Sequence, residues 1–170
     1  MNLGFLRTAS LLAATVTTGL MAGLFAAFAY AVMPGLADAG DRTFVEAMQK
    51  INVAILNGWF MSCFLGGLLL TIAAVVLHRR SGRGVLPWIV AGLVLYGAMF
   101  VVTSFFNVPL NDQLAKAGHG AVAAARRHFE SAWVTWNIIR ALANVAAFAA
   151  LSWALVLHGR AGAAALAAGR

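Results

Sequence analysis

Four long apolar blocks dominate this sequence and restrict what the chain can fold into. They lie near residues 9–33, 52–77, 85–106 and 132–157. Each is long enough to cross the roughly 30 Å hydrocarbon core of a bilayer, which takes about 20 helical residues. Backbone groups in lipid must satisfy their own hydrogen bonds, and no block alternates polar and apolar residues as a barrel strand does. The sequence therefore predicts an all-α protein, an integral membrane four-helix bundle forming a single domain over residues 1–170.

Composition and charge support a bilayer as the main partner. Of the 170 residues, 62% are hydrophobic and only 10% are charged, whereas about a quarter of a soluble domain is charged. The connection "HRRSGRG" carries Arg79, Arg80 and Arg83 without an acid, and all five acids lie in the first and third connections. Because cytoplasmic loops are enriched in Lys and Arg, we expect a multi-pass plasma or inner membrane protein with cytoplasmic termini. Five basic residues on the other side weaken this signal. The same distribution of charges argues against nucleic acid as a binding partner, despite the net charge of +7.

The first block resembles a signal peptide, with Ala29-Tyr30-Ala31 as a possible cleavage site. Its apolar part is longer than the roughly 7–15 residues of a signal sequence, so we expect a retained first span that ends at Pro34. Gly19 and Gly23 form a GxxxG pattern, which allows helices to approach closely in lipid. This face could pack inside the bundle or between subunits of a homo-oligomer.

The connections on the predicted external side are expected to be partly helical. A helix through "FVEAMQKIN" should run without a break into the second span. In the third connection, Pro109 should end the helix. The later residues around Arg126 and Arg127 should form a short extra amphipathic helix. This helix could act as a lid, with Gly118 and Gly120 as its hinge.

A polar stripe runs along the fourth block. At about 100° per residue, Trp133, Trp136, Asn137, Arg140 and Asn144 fall on one helix face. An arginine facing lipid is costly, so Arg140 should face the bundle interior and pair with a carboxylate. Asp112 is the first candidate for that partner and Glu46 the second. The stripe is also compatible with a snorkelling arginine, with tryptophans at the membrane interface and with asparagines that join helices.

Several further polar residues approach the same side of the bundle and together predict a pocket at one membrane surface. They are Gln49, Asn52, Asn107, Asn111, Asp112, Asn137 and Arg140. No pair of ligands has the spacing of a carboxylate–histidine metal bundle, and the single cysteine, Cys63, forms no redox motif. We therefore predict no cofactor and assign no metal ligand, with a bound metal or haem as the alternative.

Four stretches of the sequence form a set whose order and spacing can be compared with those of known families: "VMPGL" (32–36), "FVEAMQKIN" (44–52), "NVPLND" (107–112) and "WVTWNIIR" (133–140). In these the chain resembles the anthrone oxygenase-like family of small four-span membrane proteins, long filed as a domain of unknown function. The resemblance covers roughly residues 15–155. It implies a membrane four-helix bundle and, for some members, oxygenation of anthrones to anthraquinones.

Two functions follow as hypotheses. The first is an oxygenase that takes an apolar, anthrone-like polycyclic substrate and O₂. Its catalytic candidates are Asp112, Asn137, Arg140 and His128, with Asp112 or His128 as the base. Its substrate-binding candidates are Gln49, Asn52, Asn107, Asn111, Trp133 and Trp136. The alternative is a non-catalytic binding or assembly protein whose polar cluster locks the helices together.

Overall fold

A computed structural model describes residues 3–80, 84–118 and 121–168 of the chain. Within these ranges the chain is helical, without a strand. Arg83 and Gly120, used in the charge and hinge predictions, lie outside them. Two π-helical segments, Phe28–Val32 and Thr103–Asn107, interrupt the α-helices. The α-helices are α1 (Leu3–Ala27), α2 (Met33–Ala37), α3 (Asp41–Ala54), α4 (Gly58–His78), α5 (Leu86–Val102), α6 (Val108–Ala115) and α7 (Val122–Ala168).

Four helical stretches in the described residues are long and apolar enough to cross a membrane: Leu3–Ala37, Gly58–His78, Leu86–Ala115 and Val122–Ala164. The predicted all-α membrane bundle with four spans is thus confirmed, and the chain is a multi-pass membrane protein. α1 packs against α4 and α7, and α5 packs against the same two helices, so the four spans form a closed ring. The buried residues of α1 recur every three or four positions, which places them on one face. They are Leu11, Ala14, Thr15, Thr18, Met21, Ala22 and Phe25.

Glycines allow close contact between neighbouring spans. A Cβ on Gly67 of α4 would lie 2.5 Å from the Tyr96 hydroxyl of α5, which itself donates to the Phe64 carbonyl at 2.9 Å. A Cβ on Gly19 would lie 2.9 Å from the Phe148 ring of α7. Gly19 therefore packs inside the bundle, whereas a Cβ on Gly23 would meet nothing within 4 Å.

The two π segments carry the chain through prolines that were predicted to end helices. Before each proline, one amide bonds five residues back: Met33 N donates to Phe28 O, and Val108 N donates to Thr103 O. Pro34 and Pro109 then occupy the first turn of the following helix, where a missing N–H costs little. The predictions that Pro34 ends the first span and that Pro109 stops the third were therefore wrong. A local π turn is the physical reason.

The predicted continuous helix from "FVEAMQKIN" into the second span was also wrong. α3 ends at Ala54, and α4 begins after Asn57, whose Oδ1 accepts from the Phe60 amide at 3.0 Å. Asn57 is therefore a helix cap rather than a helical residue. In the third connection, the residues around Arg126 and Arg127 are helical as predicted, but they form the start of α7 and are continuous with the fourth span.

α2, α3 and α6 lie at one end of the bundle, which we call the cap end; the end near His78 and Leu86 we call the terminal end. Arg126 of α7 fastens the α2–α3 turn to the cap end. Its terminal nitrogens donate to the Ala37 and Ala39 carbonyls, each at 2.7 Å. It also forms ion pairs with Glu130 at 2.7 Å and Asp41 at 3.1 Å. Beneath it lies a separate apolar cluster: Phe28, Met33, Phe44, Val45, Met48, Leu114, Phe129 and Trp133.

Candidate functional site

A cavity of about 310 Å³ lies at the cap end, between the α3–α4 break, the first and second π segments and α7. Most of its wall is aromatic or aliphatic, from Phe25, Phe28, Ile51, Val53, Ile55, Leu56, Phe60, Met61, Phe64, Val108, Ala115 and Trp133. Its polar wall residues are Gln49, Asn52, Thr103, Asn111, Asp112 and Arg140. Binding sites for small organic molecules commonly combine such apolar walls with a few convergent polar groups.

Arg140 is the main polar feature of the cavity wall. It is only 6% exposed. Its Nε and Nη2 donate to Asn137 Oδ1 at 3.1 and 2.9 Å, and its Nη1 donates to Thr103 Oγ1 at 3.4 Å. The guanidinium carbon lies 4.2 Å from the ring centroid of Phe25 and 5.2 Å from that of Trp133. Two aromatic faces and two neutral oxygens thus hold this cation in place.

The ion pair predicted for Arg140 does not form. Among the described residues no carboxylate lies within 4.0 Å of it. Asp112 is exposed and lies elsewhere on the cavity wall, and Glu46 pairs with Arg42 at 2.7 Å. The reason is that α6 continues the third span, so that Asp112 does not turn back towards α7 as expected from a helix ending at Pro109.

Two buried asparagines lie behind the cavity wall rather than on it. Asn137 Nδ2 donates to the Phe25 carbonyl of α1 at 3.1 Å, while its oxygen holds Arg140. Asn107 Nδ2 donates to the Trp133 carbonyl at 3.3 Å, and its Oδ1 has no partner among the described residues. Neither residue lines the cavity. Their geometry suits positioning of Arg140 and Trp133.

The substrate-binding candidates Gln49, Asn52, Asn111 and Trp133 all lie on the cavity wall. Trp133 Nε1 donates to Asn111 Oδ1 at 2.8 Å, so the indole is held by α6. Gln49 Nε2 donates to the Leu114 carbonyl at 2.8 Å, which joins α3 to the end of α6. Asn52 Nδ2 is buried and has no partner among the described residues.

Trp136 and His128 lie away from this group. Trp136 is half-buried and stacks on Phe106 with a centroid separation of 3.7 Å. His128 is exposed, and its Nε2 donates to Gln113 Oε1 at 3.0 Å. Neither side chain lines the cavity. The structure therefore brings together six of the ten candidates: Gln49, Asn52, Asn111, Asp112, Trp133 and Arg140.

Several cavity residues were missed by sequence reasoning. Thr103, which is 6% exposed, accepts from Arg140 and donates to the Met99 carbonyl at 2.9 Å. A threonine one turn before Asn107 in an apolar block was the available signal. Phe25 and Phe28 carried no such signal, because aromatic residues are ordinary components of membrane spans.

The described residues contain no group of three or more His, Cys, Asp and Glu side chains arranged to hold a metal ion. At the terminal end, His78 and His158 form a pair with their rings 5.1 Å apart, and His158 lies 2.9 Å from Thr8 Oγ1. This pair joins α1, α4 and α7 far from the cavity.

Comparison with curated proteins gives no match, and neither does comparison with solved structures. A family model described as anthrone oxygenase matches residues 59–150. This segment is more than half of the chain and runs from the start of α4 into the middle of α7. It includes Thr103, Asn111, Asp112, Trp133 and Arg140 of the cavity wall. The chain belongs to the anthrone oxygenase family.

Proposed function

We propose that this protein is an oxygenase that converts an apolar, anthrone-like polycyclic substrate to the corresponding quinone in the cavity around Arg140. The observation that carries the proposal is a buried guanidinium on the wall of an otherwise aromatic cavity, with the Asp112 carboxylate on the same wall. A flat apolar molecule with a ketone oxygen fits this combination. The family membership supports the same reaction class.

The reaction needs a base, a stabiliser for a developing oxyanion and O₂. Asp112 removes one proton from the methylene carbon of the anthrone, and the negative charge spreads to the ketone oxygen. Arg140 stabilises that oxygen, since a fixed cation in a site shielded from water lowers the energy of developing negative charge. Asn137 is a positioning residue, because it holds the guanidinium without reaching the cavity.

The carbanion then transfers one electron to O₂, and the resulting carbon radical and superoxide combine to a peroxide anion that takes up the first proton. Loss of the second methylene proton to the base breaks the O–O bond, forms the new carbonyl and releases hydroxide, which leaves as water with that proton. One oxygen atom of O₂ thus enters the quinone and the other enters water. The substrate supplies all four electrons, so the scheme requires no organic cofactor.

Substrate access is proposed to be lateral, from the bilayer. Val53 and Leu56 line the cavity and are nevertheless 76% and 67% exposed, next to Trp59 at 79%. Exposed apolar side chains at the rim of a membrane protein favour contact with lipid. A lipid-soluble substrate would therefore pass between the α3–α4 break and the second π segment.

We also propose that the cap end faces the outside of a plasma or inner membrane. Arg7, Arg79, Arg80 and Arg160 lie at the terminal end without a nearby acid in sequence, and such clusters favour the cytoplasmic side.

The test is oxygen uptake by protein in lipid nanodiscs with hydroxylated anthrones, after subtraction of spontaneous autoxidation. We expect wild-type turnover above background and a loss of about 10²-fold or more for Arg140→Gln and Asp112→Asn. Arg127→Gln and Asp38→Asn, at exposed positions, are the matched controls. A loss with His128→Gln but not with Asp112→Asn would move the base to His128. A wild-type rate equal to background would contradict the proposal.

A second function is supported by one observation: Asn137 and Asn107 join helices and do not line the cavity. In that function the polar residues hold the bundle together and no reaction occurs. Asn137→Ala would then lower the unfolding temperature, and wild type would consume no substrate.

A further inference from the structure

The hydrogen bonds of Arg140 leave part of its guanidinium unused. The group carries five N–H donors. Nε–H and one N–H of Nη2 go to Asn137, and one N–H of Nη1 goes to Thr103. One N–H on each terminal nitrogen therefore has no acceptor among the described residues. Because Arg140 lines the cavity, a bound molecule can supply that acceptor.

The positive charge of Arg140 is equally uncompensated. Its partners are an amide oxygen, a hydroxyl oxygen and two aromatic rings, all neutral. Arg126, on the same helix, has two carboxylates and two carbonyls. A buried cation without a counter-charge is unfavourable, since low dielectric strengthens every charge interaction. A negatively charged oxygen that accepts from these N–H groups would reduce this cost, since charge-assisted hydrogen bonds are stronger than neutral ones.

We infer that the cavity binds its ligand as an oxyanion on an apolar body, with the anionic oxygen at Arg140 and the body among the surrounding aromatic rings. For the proposed reaction, on which this inference rests for its substrate class, the ligand is a polycycle with a hydroxyl group beside its ketone, held as the phenolate so that both oxygens face Arg140. Molecules of the same shape without an ionisable hydroxyl bind weakly. A fatty-acid carboxylate from the bilayer shares the chemistry and is the second possible source.

The apolar part of the site agrees with this ligand. Phe25 and Trp133 cover the guanidinium, while Phe28, Phe60 and Phe64 form further wall. Among the described residues that line the cavity, Asp112 is the only ionisable one apart from Arg140, and its exposed carboxylate opposes anion binding. The rest of the polar wall is amide or hydroxyl. The ligand's own ionisation, modified by these two residues, therefore sets the pH dependence of binding.

The test uses 1,8-dihydroxyanthraquinone as a probe, because it does not turn over and its phenolate absorbs at longer wavelength than its phenol. Protein in nanodiscs is titrated with pH, and the absorbance gives the pKa of the bound phenol. We expect wild type to lower this pKa by one unit or more relative to empty nanodiscs. Arg140→Gln should abolish the shift, Arg127→Gln should keep it and Asp112→Asn should enlarge it. The 1,8-dimethoxy compound should bind wild type and Arg140→Gln equally.

Two further measurements separate the alternatives. Oleate is added as a competitor of the probe. If oleate displaces the probe at a concentration lower than that at which the probe half-saturates the protein, a lipid carboxylate is the preferred ligand. If a higher concentration of oleate is needed, the polycycle is the preferred ligand. If Arg140→Gln does not fold, the wild-type shift alone decides, and an unlowered pKa overturns the inference. Equal probe affinity and pKa in wild type and Arg140→Gln also overturn it. A lowered pKa without oxygen uptake would refute the proposed oxygenase and leave anion binding standing.

Discussion

Asn137 holds the guanidinium of Arg140 through a single oxygen, which accepts from Nε at 3.1 Å and from Nη2 at 2.9 Å. The two residues lie one turn apart on α7, so the contact needs no other element. An amide oxygen orients the arginine without neutralising it. Stability and ligand binding should therefore respond differently to changes at Arg140 and at an arginine whose charge is balanced.

Arg126→Gln should destabilise the protein more than Arg140→Gln. Substitution of Arg126 removes two ion pairs and two hydrogen bonds to carbonyls. A hydrogen bond to a charged group contributes up to about 3 kcal/mol. The carboxylate partners of Arg126 are partly exposed, so we expect a total loss of about 1–3 kcal/mol. Arg140→Gln removes an unbalanced buried charge along with its hydrogen bonds, and we expect a change within about 1 kcal/mol. Thermal unfolding in mild detergent measures both, with Arg127→Gln as control. A larger loss for Arg140→Gln would mean that its charge is balanced.

Thr103→Asp should supply the missing counter-charge from within the protein. Thr103 Oγ1 lies 3.4 Å from Arg140 Nη1, so a carboxylate there can pair with the guanidinium. We expect a higher unfolding temperature, by about 2–4 °C for each kcal/mol gained, together with at least tenfold weaker binding of the anionic probe. Thr103→Asn is the neutral control and should change neither quantity strongly. Undiminished probe binding by Thr103→Asp would place the anion elsewhere.

Gly67→Ala should destabilise the contact between α4 and α5, because its Cβ would lie 2.5 Å from the Tyr96 hydroxyl. Overpacking of this kind costs about 1–3 kcal/mol. Gly66→Ala, at the neighbouring position, is the matched control. Its Cβ would meet nothing within 4 Å, and alanine favours helix over glycine by about 1 kcal/mol. Relative to wild type, the unfolding temperature should fall in Gly67→Ala and rise in Gly66→Ala. Equal effects would contradict this helix packing.

Topology can be tested by thiol labelling in intact cells. In a Cys63→Ser background, single cysteines replace Lys116 at the cap end and Arg80 at the terminal end, both exposed. An impermeant reagent should label position 116 and leave position 80 unlabelled until the cells are opened. The reverse pattern would invert the proposed orientation.

Hydrophobicity alone was enough to predict the number of spans, because crossing a bilayer demands long apolar helices. Six of the ten candidate residues line one cavity for a similar reason. Polar side chains at the cap ends of apolar helices avoid lipid and therefore gather in the interior of the bundle. The pairing of Arg140 could not be predicted in this way. Whether Asp112 reaches Arg140 depends on whether the chain turns back at Pro109. A single π hydrogen bond from Val108 N to Thr103 O lets the helix continue through Pro109 instead. Periodicity in the sequence carries no signal for one such bond.

The π segments also have a consequence for how this fold tolerates changes in chain length. Phe28 and Met33 belong to the same buried cluster although five positions separate them, a spacing that a regular α-helix would place on different faces. The π turn thus holds one residue more than an α-helical turn and keeps the bundle and the cap in the same angular phase. Removing one residue from Phe28–Val32 would leave Phe28 and the following methionine four positions apart, a spacing that a regular α-helix keeps on one face, so that this methionine would stay on the side of Phe44. A one-residue deletion in this segment, for example of Tyr30, which is 73% exposed, should therefore be tolerated better than the same deletion in the regular part of α1, which would rotate everything beyond it by about 100°.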